Sequence, residues 1–257
     1  RQSTTHSSVL QKRQKSDNIT QWYHKQATVP TLQDGEVMFA KDLGRKGAKC
    51  FCVSTWAEMY GIISMGYSRQ DYMPFYEPRM KDTPVMLAFD IDEKVDKKED
   101  HNPNEYLNQF KEDLAKLGIH EDMVVLASCG EKNHKYKTSY HILVPGVYFE
   151  SLKHAKAWME ERTYDHHEMR WCKCRTKKKN TAIYKVGNIE IDIAIYHKGW
   201  WRMPMCAKKG DTRVLELKGS EGNPLSLEQF KKLSIHQIPQ TSRKIEQELK
   251  IIIKNVN

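Results

Sequence analysis

Three aspartates and one basic, hydroxyl-bearing stretch are the residues of this sequence best able to do chemistry. Asp90 and Asp92 stand one residue apart at the end of the apolar run VMLAFDID, residues 85–92. A carboxylate beside a buried strand needs a cation, a basic partner or water, because burying it unpaired is expensive. A third acid, Asp192, lies in IEIDIAIY, residues 189–196. If both runs are strands, a period of two puts Asp90 and Asp92 on one face beside the small Ala88, with Leu87, Phe89 and Ile91 on the other. The same period sets Asp192 and Ala194 against Ile191, Ile193 and Ile195. Between them lies KYKTSYHILV, residues 135–144, whose Lys135, Lys137, Ser139 and His141 share a face while Tyr140, Ile142 and Val144 can enter a core. Ammonium, hydroxyl and imidazole on one strand face suit phosphate oxygens. Three acids suit two divalent cations, which a triphosphate would bridge during nucleotidyl transfer. Each feature has a plain explanation when taken singly: a turn-forming or ion-paired Asp, a core His, or edge-strand lysines that discourage aggregation. Their combination carries the functional reading.

The elements that must position these residues alternate between strand and helix. EVMFAK (36–41) and KCFCVST (49–55) read as a hairpin around the glycines of DLGRKG, and TWAEMYGII (55–63) as a helix capped by Ser54 or Thr55. ITQWYHKQA (19–27) reads as a short helix. A Pro- and Tyr-rich loop precedes the strand at 85–91. The segment 102–118 reads as an amphipathic helix with Tyr106, Phe110, Leu114 and Leu117 on one stripe and Gly118 as its stop. Strands at 122–128, 138–144 and 189–196, a helix at 151–162, strand-like pieces at 201–206 and 213–217, and helices at 226–233 and 240–254 follow. The pattern implies an α/β or α+β class.

Composition bounds the partners. The chain has 257 residues and a formal charge of +9, which leans toward a polyanion. No apolar run approaches the roughly 20 residues of a membrane span, so no membrane partner is expected. Six cysteines, at 50, 52, 129, 172, 174 and 206, occur without secretory context and are expected to be reduced thiols of an intracellular protein. The chain starts at Arg1 rather than Met and ends in a helix-like pattern, so it reads as a domain of a longer protein.

The order FDID, SYH, IDIAIY, with about fifty residues between successive motifs, resembles the three signature motifs of the archaeo-eukaryotic primase superfamily. The likeness is closest to the PrimPol branch, which includes primases of large DNA viruses. WYHKQA (22–27), KCFCVSTWAEMY (49–60) and IYHKGWWRMPMCAKKG (195–210) are similar to further stretches of that branch, so the resemblance covers about residues 20–220. It implies a DNA primase or primase-polymerase that joins NTPs or dNTPs on single-stranded DNA, with or without a primer. Carried over, Asp90, Asp92 and Asp192 would be catalytic and would hold two Mg²⁺ or Mn²⁺ ions. Lys137, Ser139, His141, Arg202 and Lys208 or Lys209 would bind the nucleotide, with Arg213 a weaker candidate. Lys25, Gln26 and Lys49 would contact template. The basic loop 175–179 reads either as an extension of that surface or as a disordered, solvated tip. The Asp pair departs from the Asp-x-Glu of some relatives. The zinc-binding module or helicase carried by some members is not visible, although the full-length protein could include either.

The resemblance implies a two-lobed primase core. A polar arm (1–20) would precede an N-terminal α/β lobe (21–84) and a recognition-motif-like mixed sheet (85–220), with the active site in the cleft between them and C-terminal helices at 221–257. His166, His167, Cys172 and Cys174 raise the question of zinc, but Cys-x-Cys is not the usual knuckle spacing, and a loop with ordinary thiols is expected instead. Two other functions use similar residues. A metal-dependent nuclease would need the acids but no strand for a triphosphate. A non-catalytic nucleic-acid-binding module would make the acids structural.

Overall fold

In a computed structural model, residues 21–44, 48–78, 82–100, 102–132, 134–171, 178–196 and 200–246 are described. The chain is mixed α/β, with several antiparallel sheets and four α-helices among the described residues. The strands are, in order, β1 (Glu36–Asp42), β2 (Lys49–Thr55), β3 (Phe75–Pro78), β4 (Val85–Val95), β5 (Val124–Ala127), β6 (Gly130–Lys132) and β7 (Lys135–Phe149). Then come β8 (Tyr164–Trp171), β9 (Lys178–Val186), β10 (Ile189–Glu190), β11 (Trp200–Arg202), β12 (Glu216–Leu217) and β13 (Arg243–Lys244). The helices are α1 (Trp56–Ser68), α2 (Pro103–Lys116), α3 (Leu152–Thr163) and α4 (Leu227–Lys232). The described residues fall into two compact units, one within 1–78 and 200–234 and the other within 79–199 and 235–257. This division differs from lobes at 21–84 and 85–220, because β11 pairs with β3 and returns its segment to the first unit.

The first unit holds an antiparallel sheet in the order β11-β3-β1-β2. The hairpin of β1 and β2 forms as the sequence implies, running from Glu36 opposite Thr55 to Asp42 opposite Lys49. Thr55 caps α1 in a full capping box with Glu58, so the Ser/Thr-x-x-Glu signal sets the helix start. Trp56 and Tyr60 of α1 pack edge-on against Phe230 of α4, and Trp56 also meets Phe39 of β1. Two expectations are corrected here. The segment 19–27 is not a helix over its described part: only Gln26–Thr28 makes a 3₁₀ turn, while Tyr23 exchanges backbone hydrogen bonds with Phe51. The Pro- and Tyr-rich loop contains β3, whose aromatic pair Phe75 and Tyr76 is buried.

The second unit is organised by β7, fifteen residues long. β4 runs antiparallel along one edge, from Val85 opposite Phe149 to Val95 opposite Tyr136. The other edge is shared by β5, β6 and the parallel β13. α2 begins at the Asn102 cap with Pro103 at its first position, and ends where Gly118, at φ +81°, donates back to Ala115. Its Phe110 packs on Phe89 of β4 and its Tyr106 on Tyr140 of β7, so odd-numbered β4 residues face α2.

Three further expectations fail in this unit. Only Ile189–Glu190 of 189–196 is strand, and Ile193–Tyr196 coil into a 3₁₀ turn. The helix expected over 240–254 is, over its described part to residue 246, a turn followed by the two-residue strand β13, the remainder lying outside the described residues. The region around 164–180, expected as loop, contains the antiparallel ribbon of β8 and β9. Cys172 and Cys174, the 175–177 part of the basic loop and the polar arm 1–20 lie outside the described residues.

Candidate functional site

β4 and β7 bring the first two motifs together by register. Asp90 lies opposite His141, Asp92 opposite Ser139 and Lys94 opposite Lys137. Directly opposed residues project to the same side of a sheet, so these six form one patch on the face away from α2. His141 Nε2 lies 3.7 Å from Asp90 Oδ1. The Lys137 ammonium, on the diagonal neighbour, forms a 2.6 Å ion pair with Asp92 Oδ2. Lys137, Ser139 and His141 are all buried, whereas Asp92 is exposed. A buried ammonium requires such a carboxylate partner.

The third acid arrives without a strand. In an antiparallel strand the N–H and C=O of alternate residues point outward, and at the edge of a sheet they need other partners. On the outer edge of β4, Met86 donates to the carbonyl of Ile235 at 2.8 Å. Ala88 donates its N–H to the Tyr196 hydroxyl at 2.9 Å, and that hydroxyl donates back to the Ala88 carbonyl. The Asp90 carbonyl accepts from the N–H of Asp192 at 2.8 Å. The 3₁₀ turn is therefore the cover of an exposed sheet edge, and covering it sets Asp192 beside Asp90. Asp192 Oδ1 also caps the turn by accepting from the Ala194 N–H at 2.8 Å.

The patch contains residues that the motif reading passed over. Lys94 continues the alternation of Asp90 and Asp92, a signal present in the sequence. Gly130 of β6 lies opposite Lys137 and leaves that position without a neighbouring side chain. Tyr196, buried against Ala88, anchors the third acid, and no spacing rule in the sequence points to it. The acids themselves suit a hard divalent cation in kind, since carboxylate oxygens are its preferred donors and Asp90 and Asp192 are joined through their backbones. Among the described residues, no group of three or more His, Cys, Asp or Glu side chains is gathered as a metal cluster.

The remaining candidates belong to the first unit. Arg202, on β11, is buried and extends a long 3.5 Å hydrogen bond to the Arg213 carbonyl. Arg213 is held by both oxygens of Asp211. Lys208 and Lys209 are exposed, and Lys209 Nζ donates to the Leu43 carbonyl at 3.1 Å. Lys25 is exposed just before the 3₁₀ turn and Gln26 is half-buried within it. The Lys49 ammonium pairs with Asp42 at 3.1 Å and sits 4.2 Å from the Tyr76 ring centroid. Cys206 is fully enclosed, and burial pushes its thiol up to about 12, so it supplies no thiolate.

Among the described residues no helix is long and apolar enough to cross a membrane. No protein-family model matches the chain, and no curated protein is significantly similar to it.

Proposed function

We propose that the chain is a template-directed nucleotidyltransferase, a DNA primase or primase-polymerase that uses NTPs or dNTPs on single-stranded DNA. The observation that carries this reading is the β4–β7 register, in which Asp90 and Asp92 oppose His141 and Ser139, with Asp192 bonded to the same stretch of β4. In this reading Asp90, Asp92 and Asp192 hold two Mg²⁺ or Mn²⁺ ions. Bound there, the ions would lower the pKa of an attacking 3′-hydroxyl and neutralise charge on the leaving pyrophosphate. Lys137 and His141 would bind phosphate oxygens, and Ser139 would donate to one of them. With Asp92 engaged as a ligand, the Lys137 ammonium becomes available to a phosphate. Arg202, Lys208 and Lys209 are assigned to the nucleotide's phosphates, and Lys25, Gln26 and Lys49 to the template backbone. The two-lobed primase architecture belongs to the same proposal.

The test is incorporation on primed and unprimed single-stranded templates, with each nucleotide type and each metal. Extension of a supplied primer is expected, and Asp90→Ala or Asp192→Ala should lower it at least about a hundredfold while the protein stays folded. Full activity in either variant, or no product under any combination, refutes the proposal. Thermal stabilisation by a nucleoside triphosphate with Mn²⁺ separates this reading from a nuclease, which has no triphosphate to hold.

A further inference from the structure

Carboxylates and ammonium groups share one face of the β4–β7 ladder, and their pairs are unequal. At the outer end Asp96, just past β4, meets Lys135 at 2.9 Å, with side chains 80% and 54% exposed. Water screens such a pair, and it contributes little. Further in along β7, Lys137 meets Asp92 Oδ2 at 2.6 Å, and here the lysine side chain is only 11% exposed while that of Asp92 is 43% exposed. A buried ammonium needs an anion beside it, whereas a half-open carboxylate can be satisfied by water or by a cation arriving from solvent. The lysine therefore depends on this pair more than the acid does.

The positions directly opposite Lys137 do not offset its charge. On β4 it faces Lys94, and like charges across a ladder repel. On β6 it faces Gly130, which brings no side chain. The carboxylate that meets its ammonium comes from the diagonal, from Asp92. A divalent cation that takes Asp92 thus deprives Lys137 of this partner and sets two positive charges against each other. A phosphate that takes Lys137 does the opposite: it satisfies the ammonium and releases Asp92 Oδ2 from it.

We infer that Lys137 and Asp92 form an exchange pair that makes divalent cation and triphosphate bind together, the ammonium shielding Asp92 from metal alone and the triphosphate drawing it away. This rests on the nucleotidyltransferase reading and concerns the regulation of that same site. Coupling of this kind is reciprocal, so the metal must tighten the triphosphate by the factor by which the triphosphate tightens the metal. Ligation of the metal by phosphate oxygens also couples the two, and the exchange pair adds a part that Lys137 controls.

The experiment uses the full chain, Mn²⁺ followed by the electron paramagnetic resonance signal of the free ion, and an α,β-methylene nucleoside triphosphate. Without the analogue, Lys137→Gln should bind Mn²⁺ roughly fivefold more tightly than the parent, the effect of one released ion pair that is partly open to water. Lys94→Gln removes a cation from the same face without breaking the pair, and should change the affinity less than about twofold. The analogue should tighten Mn²⁺ in the parent by roughly fivefold more than in Lys137→Gln. With metal removed by EDTA, Asp92→Asn frees Lys137 and should tighten the analogue roughly fivefold, against less than about twofold for Asp96→Asn. Far-UV circular dichroism of the four variants should match the parent. Equal effects of Lys137→Gln and Lys94→Gln on Mn²⁺, or an analogue affinity that Asp92→Asn leaves unchanged, overturn the exchange pair; if Asp192→Ala abolishes Mn²⁺ binding in the same series, the metal assignment stands without it. No Mn²⁺ bound by the parent or any variant, with or without the analogue, overturns the metal assignment and the exchange pair together.

Discussion

Replacing Tyr196 with Phe tests how the third acid is held. The hydroxyl both accepts from the Ala88 N–H and donates to the Ala88 carbonyl, at a residue wholly removed from solvent. Phenylalanine keeps the ring and its packing but leaves two buried backbone groups of an edge strand without that partner. Each such group costs about 1–3 kcal/mol. Relief of the hydroxyl's own desolvation offsets part of this, so about 2–4 kcal/mol is expected. Local stability of this kind is read by amide hydrogen exchange. At about 1.4 kcal/mol per tenfold, the Ala88 amide should lose roughly thirty- to seven-hundred-fold of its protection. Amides of Met38–Ala40 in the first unit provide the internal reference and should be unaffected. Because the same turn donates the Asp192 N–H to Asp90, incorporation should fall at least about tenfold as well. If Ala88 protection stays within about threefold of the parent, Tyr196 is not what seals the edge of β4, and the account of how Asp192 is positioned fails.

Two further outcomes concern the frame around the site. Gly187 has φ +58°, and a Cβ there would lie 1.8 Å from Asp113 Oδ2 on α2, whereas Gly210, at φ +74°, has nothing within 4 Å. Gly187→Ala should therefore destabilise by more than the roughly 1 kcal/mol expected at Gly210→Ala for backbone strain alone; equal urea midpoints for the two variants would show that the α2–β9 approach is looser than described. The Lys116 ammonium, with Gln109, holds the Asp113 carboxyl below the usual range, against the opposing effect of burial. A depressed carboxylate contributes stability that is complete above the unfolded value near 3.8 and is lost as pH falls through its lower folded value. Asp113→Asn should accordingly flatten the fall in melting temperature below about pH 4, and an unaltered acid profile would contradict this.

The sequence alone determined the local parts. Alternation over 85–92 and 135–144 identified two strands and sorted Asp90, Asp92, Lys137, Ser139 and His141 to their faces, because the pleat repeats every two residues wherever a strand forms. The capping box at Thr55 and the Asn102-Pro103 start with its Gly118 stop also needed only neighbouring residues. Tertiary structure decided the rest. IEIDIAIY has the alternation of a strand, yet its second half coils, because its Tyr196 hydroxyl and Asp192 amide satisfy an edge that β7 leaves open some hundred residues earlier. The ring of Tyr76 and the carboxylate of Asp42 reach Lys49 only after the sheet has assembled. The ribbon escaped a reading by hydrophobic period because its β8 strand buries none of its described side chains, and its pairing partner, not its own pattern, makes it a strand. Periodicity reports the solvent a segment meets on each side; which groups fill an open edge depends on chain that is distant in sequence, and only folding brings that chain near.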